Sequence, residues 1–159
     1  MIGALESAGV GGDLGLDASS IERAFGSTAR KAKRGTIIVL LSDLLDLPDT
    51  TLDKFAALAS GGRVLVALQV LDPEETRFPF EGTVRLRALE GGTVVETDAD
   101  AARARYFERL AAIENAWSRR LTDHGGHFLR AETTDEPAEV LRTLVFAIGG
   151  RMSQKGEAP

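Results

Sequence analysis

The sequence predicts an α/β fold in which a parallel sheet is flanked by helices, and three observations support this prediction. Residues 36–41 and 63–71 are apolar at nearly every position, as in strands that are covered on both faces. A short helical pattern separates these strands, which therefore need a crossover connection and pair in parallel. Residues 98–123 repeat apolar side chains at helical spacing, which adds a long amphipathic helix.

A leading helix, a connecting helix and a hairpin account for the rest of the chain up to residue 97. Residues 19–34 carry a helical apolar stripe that leads into the first strand, and residues 50–58 form the short helix between the strands. Residues 83–89 and 93–97 alternate apolar and polar side chains on either side of Gly91-Gly92. This pattern predicts an antiparallel hairpin with one solvent-facing side, inserted into the parallel architecture.

The last third of the chain predicts a third strand and a closing helix. The long helix that precedes them turns one apolar face to the core, made of Tyr106, Leu110, Ile113, Trp117 and Leu121. Residues 127–131 form the third strand, and the closing helix opens near Pro137 and ends at Gly149-Gly150. The predicted core face of the closing helix consists of Val140, Leu141, Leu144, Val145 and Ile148.

Composition and charge exclude several classes of protein. The 159 residues fit one domain and include no cysteine, which excludes disulfides, thiol catalysis and cysteine-bound zinc. The formal net charge is -5, which argues against a nucleic-acid interface. No apolar run approaches the ~20 residues of a membrane span and no secretory signal is recognisable, so a cytoplasmic location is expected.

Acidic residues follow both predicted strands. Asp43 and Asp46 come after the first strand, and Asp72 and Glu74 come after the second. Since the carboxyl ends of parallel strands meet at one edge of a sheet, these carboxylates form a candidate Mg²⁺ site. A metal-assisted hydrolase or a phosphoryl-handling enzyme would use such a site, although no nucleophile–base pair accompanies the acids. Equally, Asp43 caps a loop or a helix start, as aspartate often does after a strand.

Motifs of common enzyme classes are absent from the sequence. There is no Gly-rich phosphate loop of P-loop or dinucleotide-binding spacing, no H-E-x-x-H and no G-x-S-x-G. His124 and His127 flank Gly125-Gly126; they offer a weak surface metal site, but ordinary turn residues explain them better. No catalytic residue is therefore predicted.

Four segments in order resemble one bacterial family. They are Ser42–Asp46, Val64–Glu75, Phe78–Gly82 and Leu89–Gly92. The family consists of uncharacterised proteins with a von Willebrand factor A-like domain, commonly encoded beside MoxR-type AAA+ ATPases. The resemblance runs from about Ser19 to Ile148 and implies a Rossmann-like sheet with flanking helices and the inserted hairpin.

Many such domains bind a divalent cation at a metal-ion-dependent adhesion site. The ligands are an Asp-x-Ser-x-Ser motif, a threonine from a later loop and an aspartate after the fourth strand. By resemblance, Asp43 stands at the position of that aspartate, with Ser42, Asp46 and Asp72 as neighbours. We expect an incomplete metal site that binds Mg²⁺ only if the other ligands are supplied.

The other ligands of that site have no match in this sequence. No Asp-x-Ser-x-Ser is present, and residues 17–20, the nearest string, have the wrong spacing and no strand before them. The loop threonine would fall near residues 11–14, which contain no threonine. We therefore expect no tight divalent-cation site formed by this chain alone.

The resemblance also implies that the first three strands of the family's sheet are missing. Residues 1–16 are then a flexible leader or remnant, residues 17–150 a partial von Willebrand factor A-like domain, and residues 151–159 a disordered tail. The strand at 36–41 keeps an unpaired apolar edge, which needs another chain or a covering element. We expect either a fragment of a longer protein or a half-domain that self-associates or depends on a partner.

The function that the resemblance implies is that of a non-enzymatic protein-interaction module. Its expected partner is a MoxR-type AAA+ ATPase, and its expected role is the assembly or maturation of other proteins. Longer members of the resembled family are often anchored in a membrane, whereas no membrane segment is predicted in this sequence.

Overall fold

The computed structural model describes residues 18–45, 47–48, 50–87 and 94–154. Across these residues the predicted helices and strands are present together with one further short helix, Pro73–Arg77, and the α/β class is confirmed. The elements are α1 (Ala18–Lys31), β1 (Ile37–Ser42), α2 (Thr51–Ala57), β2 (Val64–Leu71), α3 (Pro73–Arg77), β3 (Thr83–Arg87), β4 (Val94–Asp98), α4 (Ala99–Asp123), β5 (His127–Glu132) and α5 (Pro137–Gln154).

A three-stranded parallel sheet forms the centre of the described structure, in the order β1-β2-β5. Ile37 of β1 pairs with Val64 of β2, and Val66 of β2 pairs with His127 of β5. Both connections cross over through helices, as parallel pairing requires. The arrangement of a parallel sheet with flanking helices is consistent with a Rossmann-like fold.

The predicted hairpin is confirmed as a separate two-stranded sheet. β3 pairs with β4 in antiparallel register, with Thr83 opposite Asp98. The Gly91-Gly92 turn lies outside the described residues, as do residues 1–17 and 155–159. The predicted leader and the extreme end of the predicted tail therefore remain predictions.

One face of the parallel sheet is covered by α1, α2 and α4. Leu65 and Ala67 of β2 form one buried cluster with Phe55 of α2 and with Trp117 and Leu121 of α4. Each of these side chains is at most 5% exposed. The part of the predicted α4 face that contains Ile113, Trp117 and Leu121 thus packs on the sheet as expected.

Among the described residues the other face of the sheet is open at β1, which departs from the prediction that both faces of this strand are covered. Ile38 and Leu40 pack against the core cluster, whereas Ile37, Val39 and Leu41 are 47%, 38% and 65% exposed. Within the described part of the chain, β1 is an edge strand that pairs only with β2. Its second apolar face therefore has no covering layer there.

The closing helix α5 departs from two predictions. It continues through Gly149 and Gly150 to Gln154, because glycine lowers helix stability by only about 1 kcal/mol per residue and does not forbid the helix. Leu141 and Val145, predicted as core, are exposed, while Ile148 is buried. The contacts of α5 are with β5, so the helix buries only a narrow strip of its surface.

A search of the described helices finds none that is both long enough and apolar enough to cross a lipid bilayer.

Candidate functional site

The candidate site lies at the edge of the parallel sheet where β1 and β2 end. The loop that begins at Asp43 follows β1, and the segment from Asp72 to Phe80 follows β2. Helix α4 borders both, since Arg109 donates a hydrogen bond to the Leu45 carbonyl oxygen over 3.0 Å and Arg103 donates one to the Phe78 carbonyl oxygen over 3.2 Å. In open α/β sheets, this edge is where ligands bind.

Asp43 uses its carboxylate to organise its own loop. Its Oδ1 accepts a hydrogen bond from the Leu45 backbone N–H over 3.1 Å, and the Ser42 hydroxyl accepts one from the Leu44 N–H over 3.0 Å. The Ser42 hydroxyl also lies 3.4 Å from Asp43 Oδ1. These are local turns of the kind that Asp and Ser make after a strand, and they realise the loop-capping alternative for Asp43.

Gln69 of β2 supports this loop, and it is not among the predicted site residues. It is fully buried in β2, and its Nε2 donates a hydrogen bond to the Asp43 carbonyl oxygen over 2.8 Å. Its Oε1 has no hydrogen-bond partner among the described residues. The available signal was that Gln69 is the only polar residue in the apolar run 64–71, and a buried polar side chain needs a partner.

The loop also contains a strained residue, Leu44. Its φ is 66°, a left-handed conformation that costs a residue with a Cβ about 1–2 kcal/mol. Leu44 is only 2% exposed and belongs to the core cluster. Burial of its side chain therefore offsets the strain and fixes the position of Asp43.

Asp72 anchors the second loop at the start of α3. Its Oδ1 accepts a hydrogen bond from the Glu74 N–H over 2.9 Å, while the Glu75 carboxylate accepts one from the Asp72 N–H over 2.7 Å. This is a capping box. The second carboxylate oxygen of Asp72 accepts a hydrogen bond from the Thr133 hydroxyl over 3.1 Å, so Asp72 also ties α3 to the loop after β5.

The described acidic residues do not assemble a metal centre. In the described ranges, no group of three Asp, Glu or His side chains is placed to hold an ion. Asp43 and Asp72 serve as loop and helix caps, and Asp46, the third predicted neighbour, lies outside the described residues. His124 follows the last turn of α4 and His127 begins β5. The described residues alone therefore do not supply the ligand set of a divalent-cation site.

An aromatic cluster borders the same edge. The Phe78 ring is 5.1 Å from that of Phe80 and 5.7 Å from that of Tyr106, centroid to centroid. Phe107 packs behind them, 5.5 Å from Tyr106 and 6.5 Å from Phe78. Phe78 has φ 46° and is 6% exposed, so a second strained residue is held in place by packing.

A cavity of about 400 Å³ opens beside these rings. Its lining consists of Asp72, Glu74, Glu75, Phe78, Phe80, Ala102 and Tyr106. The sequence assigned Tyr106 to the apolar face of α4, and the structure adds that it forms part of a cavity wall. Only the spatial meeting of the Phe-Pro-Phe segment with α4 creates this wall, and sequence spacing does not reveal it.

Burial raises the pKa of the Tyr106 phenol, and the negative charges of Glu75 and Asp43 raise it further. The Tyr106 hydroxyl is buried and has no hydrogen-bond partner among the described residues. The phenol is therefore neutral at physiological pH and sits in a region of negative potential.

Comparison with known proteins identifies relatives of the chain. The model of a family described as "Protein of unknown function DUF58" matches residues 14–116. Uncharacterised proteins of Mycobacterium tuberculosis (Rv1480) and Mycobacterium bovis (Mb1516) are each 35% identical over 109 residues. That alignment covers 69% of this chain and 32% of each relative, so the chain spans about a third of their length.

Comparison with solved structures gives matches to two proteins from Bacteroides species. The conserved hypothetical protein BatB from Bacteroides thetaiotaomicron superposes with a TM-score of 0.50 at 14% identity, covering 96% of this chain and 69% of BatB. An aerotolerance-related membrane protein from Bacteroides fragilis gives a TM-score of 0.47 at 21% identity, covering 83% of this chain and 62% of that protein. At such identity the likeness to BatB concerns the fold alone.

Proposed function

The chain belongs to the DUF58 family, whose function is unknown, and we infer its function from its surface. We propose that it is a non-enzymatic protein-interaction module that docks a partner on β1. The proposal depends mainly on one observation, the apolar row Ile37, Val39 and Leu41, which is exposed along an edge strand. Natural proteins usually protect such an edge with charges, proline or a covering element.

The composition of β1 supports a docking role. The strand reads Ile-Ile-Val-Leu-Leu-Ser and carries no charged residue, so it has none of the side chains that discourage pairing with another chain. A partner that adds a strand would gain backbone hydrogen bonds along the edge that is unpaired within the described residues, and apolar side chains of the same partner packed on the face of β1 would bury the row. Burial at about 25 cal/mol per Å² favours that association.

The resemblance of the sequence to von Willebrand factor A-like proteins supports the choice of partner. We propose a MoxR-type AAA+ ATPase as the partner and the assembly or maturation of other proteins as the role. By that resemblance, Asp43, which follows β1, stands at the position of a metal-site aspartate of such domains. In this proposal, any divalent cation at Asp43 takes its other ligands from outside the described residues.

The test is a binding measurement between the full chain and a MoxR-type ATPase from the same organism. Leu41→Lys places a charge on the row, and we expect it to weaken binding at least ten-fold. Ala111→Lys is the matched control, because Ala111 is exposed on α4 and gains the same charge away from β1. Equal affinity for the two variants would contradict the proposal.

Sedimentation of the free chain separates a partner from a second copy. Self-association that Leu41→Lys abolishes, together with no binding of the ATPase, would assign β1 to a homomeric interface instead. A chain that stays monomeric at high concentration and binds the ATPase through Leu41 supports the proposal as stated.

A calorimetric titration with Mg²⁺ or Mn²⁺ tests the metal part of the proposal. We expect no micromolar site in this chain alone, because the described carboxylates cap local structure instead of converging. A micromolar site that Asp43→Ala abolishes would overturn this part while leaving the docking surface untouched.

A further inference from the structure

The cavity beside α3 combines aromatic walls with carboxylates. Three of its lining residues are aromatic, three are acidic, and none is basic. Its volume of about 400 Å³ lies within the usual range for small-molecule sites. Apolar ligands gain nothing from the carboxylates, and anions are repelled by them. The lining therefore favours cationic ligands.

The rings of Phe78, Phe80 and Tyr106 are inclined to one another and form an aromatic corner, not a flat stack. Phe78 and Phe80 meet edge to face, with 86° between their planes, and Phe78 and Tyr106 are tilted by 36°. Phe80 remains 38% exposed, so part of this wall is open to a ligand. Ring faces carry negative electrostatic potential and attract cations.

One ring of the corner already faces a cation within the protein. The Arg103 guanidinium carbon lies 5.7 Å from the centroid of the Phe78 ring. Arg103 is held by Asp100 and by the carbonyl oxygens of Phe78 and Phe80, and it does not line the cavity. It fixes the Phe-Pro-Phe segment on α4 and leaves the open side of the corner free.

The carboxylates differ in how far they are already engaged. Both oxygens of Asp72 accept hydrogen bonds, and one oxygen of Glu75 does. The Glu74 side chain makes no hydrogen bond or ion pair with the described residues, and Glu74 is exposed. Glu74 is therefore the acid best placed to receive a charge from solution.

We propose that this cavity binds an organic cation, an alkylammonium or guanidinium group, between the aromatic corner and the carboxylates. The cation packs against Phe80 and Tyr106, and Glu74 supplies the main counter-charge. The strained backbone of Phe78 is consistent with a site, because such strain persists where the surroundings enforce it. The proposal does not depend on docking at β1.

Tyr106 provides a direct readout because it is the only tyrosine in the chain. Protein labelled with ¹³C-tyrosine gives one set of ring signals, which we expect to shift saturably with millimolar choline. The uncharged tert-butyl analogue of choline has the same shape, and we expect it to shift them far less. A capped arginine amide forms the second arm, and tighter binding of either probe identifies the source of the cation as a small amine or a protein side chain.

Two variants locate the site. Phe80→Leu keeps an apolar side chain but removes the ring face, and Glu74→Gln removes the charge; we expect each to weaken choline binding roughly three-fold or more. Glu108→Gln is the control, since Glu108 is an exposed acid of α4 outside the cavity. Absence of a saturable shift, equal shifts from the uncharged analogue, or equal losses in all three variants would overturn the proposal.

Discussion

β1 and β2 have nearly the same kind of sequence but very different surroundings. Both are apolar at all but one position, Ser42 in Ile37–Ser42 and Gln69 in Val64–Leu71. In β2 the residues from Leu65 to Gln69 are all buried, whereas in β1 exposed and half-buried residues alternate. The difference arises because β2 has a paired strand on both sides and β1 has one on a single side within the described residues.

This contrast shows what an apolar run establishes. A continuous apolar run indicates that both faces of a strand are suited to burial, but it does not identify what covers them. In β2, neighbouring strands and helices from the same chain provide the cover. In β1, the second face is suited to burial and is open, which is the basis for proposing a docking surface there.

We expect the largest difference in stability between two variants that carry the same substitution, leucine to alanine, one in β2 and one in β1. Leu65→Ala removes a side chain that is 0% exposed, and we expect it to lower the free energy of unfolding by about 2–5 kcal/mol, because a cavity remains in the core. Leu41→Ala removes one that is 65% exposed, and we expect a change within about 0.5 kcal/mol.

Urea unfolding at low protein concentration measures both values, since dilution limits any self-association. A comparable loss for the two variants would mean that Leu41 is buried in solution, and the contrast between the strands would then disappear. If the unfolding midpoint of the unsubstituted chain rises with protein concentration and that of Leu41→Ala does not, the contrast between β1 and β2 is strengthened.

The second effect concerns how β2 is anchored at its start. Arg63 donates hydrogen bonds to the carbonyl oxygens of Ala29 and Ala32 near the end of α1, and to those of Leu58 and Ser60 after α2. Carbonyls at helix ends lack partners within the helix. We expect Arg63→Met to lower the free energy of unfolding by about 1.5–3 kcal/mol, because the part-buried carbonyls of Ala29, Ala32 and Leu58 lose a charged donor.

Two further variants test the reason for that loss. Arg63→Lys keeps the charge but loses the branched donor group, so we expect it to restore only part of the stability. Arg119→Met removes an exposed arginine of α4 and should change unfolding by less than about 0.5 kcal/mol. Full recovery by lysine would show that charge, and not the hydrogen-bond pattern, anchors β2.

Much of this fold follows from local patterns in the sequence. The two apolar runs, the stripe that includes Trp117 and Leu121, and the alternation in the hairpin each specify an element by its own periodicity. The order of elements then fixes parallel pairing of β1 and β2. Those predictions depend on neighbouring residues, and the structure confirms them.

The features of the candidate site depend on contacts between distant residues. Leu44 and Phe78 adopt positive φ, which neither residue type favours, and only tertiary packing enforces it. Gln69 reaches Asp43 across the sheet, and the cavity wall forms where Phe80 meets α4. The length of α5 departs from the prediction for a different, local reason, because two glycines weaken a helix without ending it.

The smallest expected effect on stability comes from removing the buried hydroxyl of Tyr106. Tyr106 lies on α4, and its buried hydroxyl has no hydrogen-bond partner among the described residues. Tyr106→Phe should therefore not lower the free energy of unfolding at neutral pH, since no bond is lost and an unsatisfied buried hydroxyl carries a desolvation cost. A loss above about 1 kcal/mol would show that the hydroxyl is hydrogen-bonded in solution.

At alkaline pH the stability of the unsubstituted chain should differ from that of Tyr106→Phe. The pKa of Tyr106 is raised in the folded state above its ordinary value of 10.0, so the folded chain holds the phenolic proton more tightly than the unfolded chain. The stability associated with the neutral phenol is complete below pH 10.0 and is lost as the pH rises through the folded-state pKa. Paired urea titrations at rising pH should show a steeper loss in the tyrosine protein than in Tyr106→Phe, and parallel curves would mean that the phenol is exposed to water.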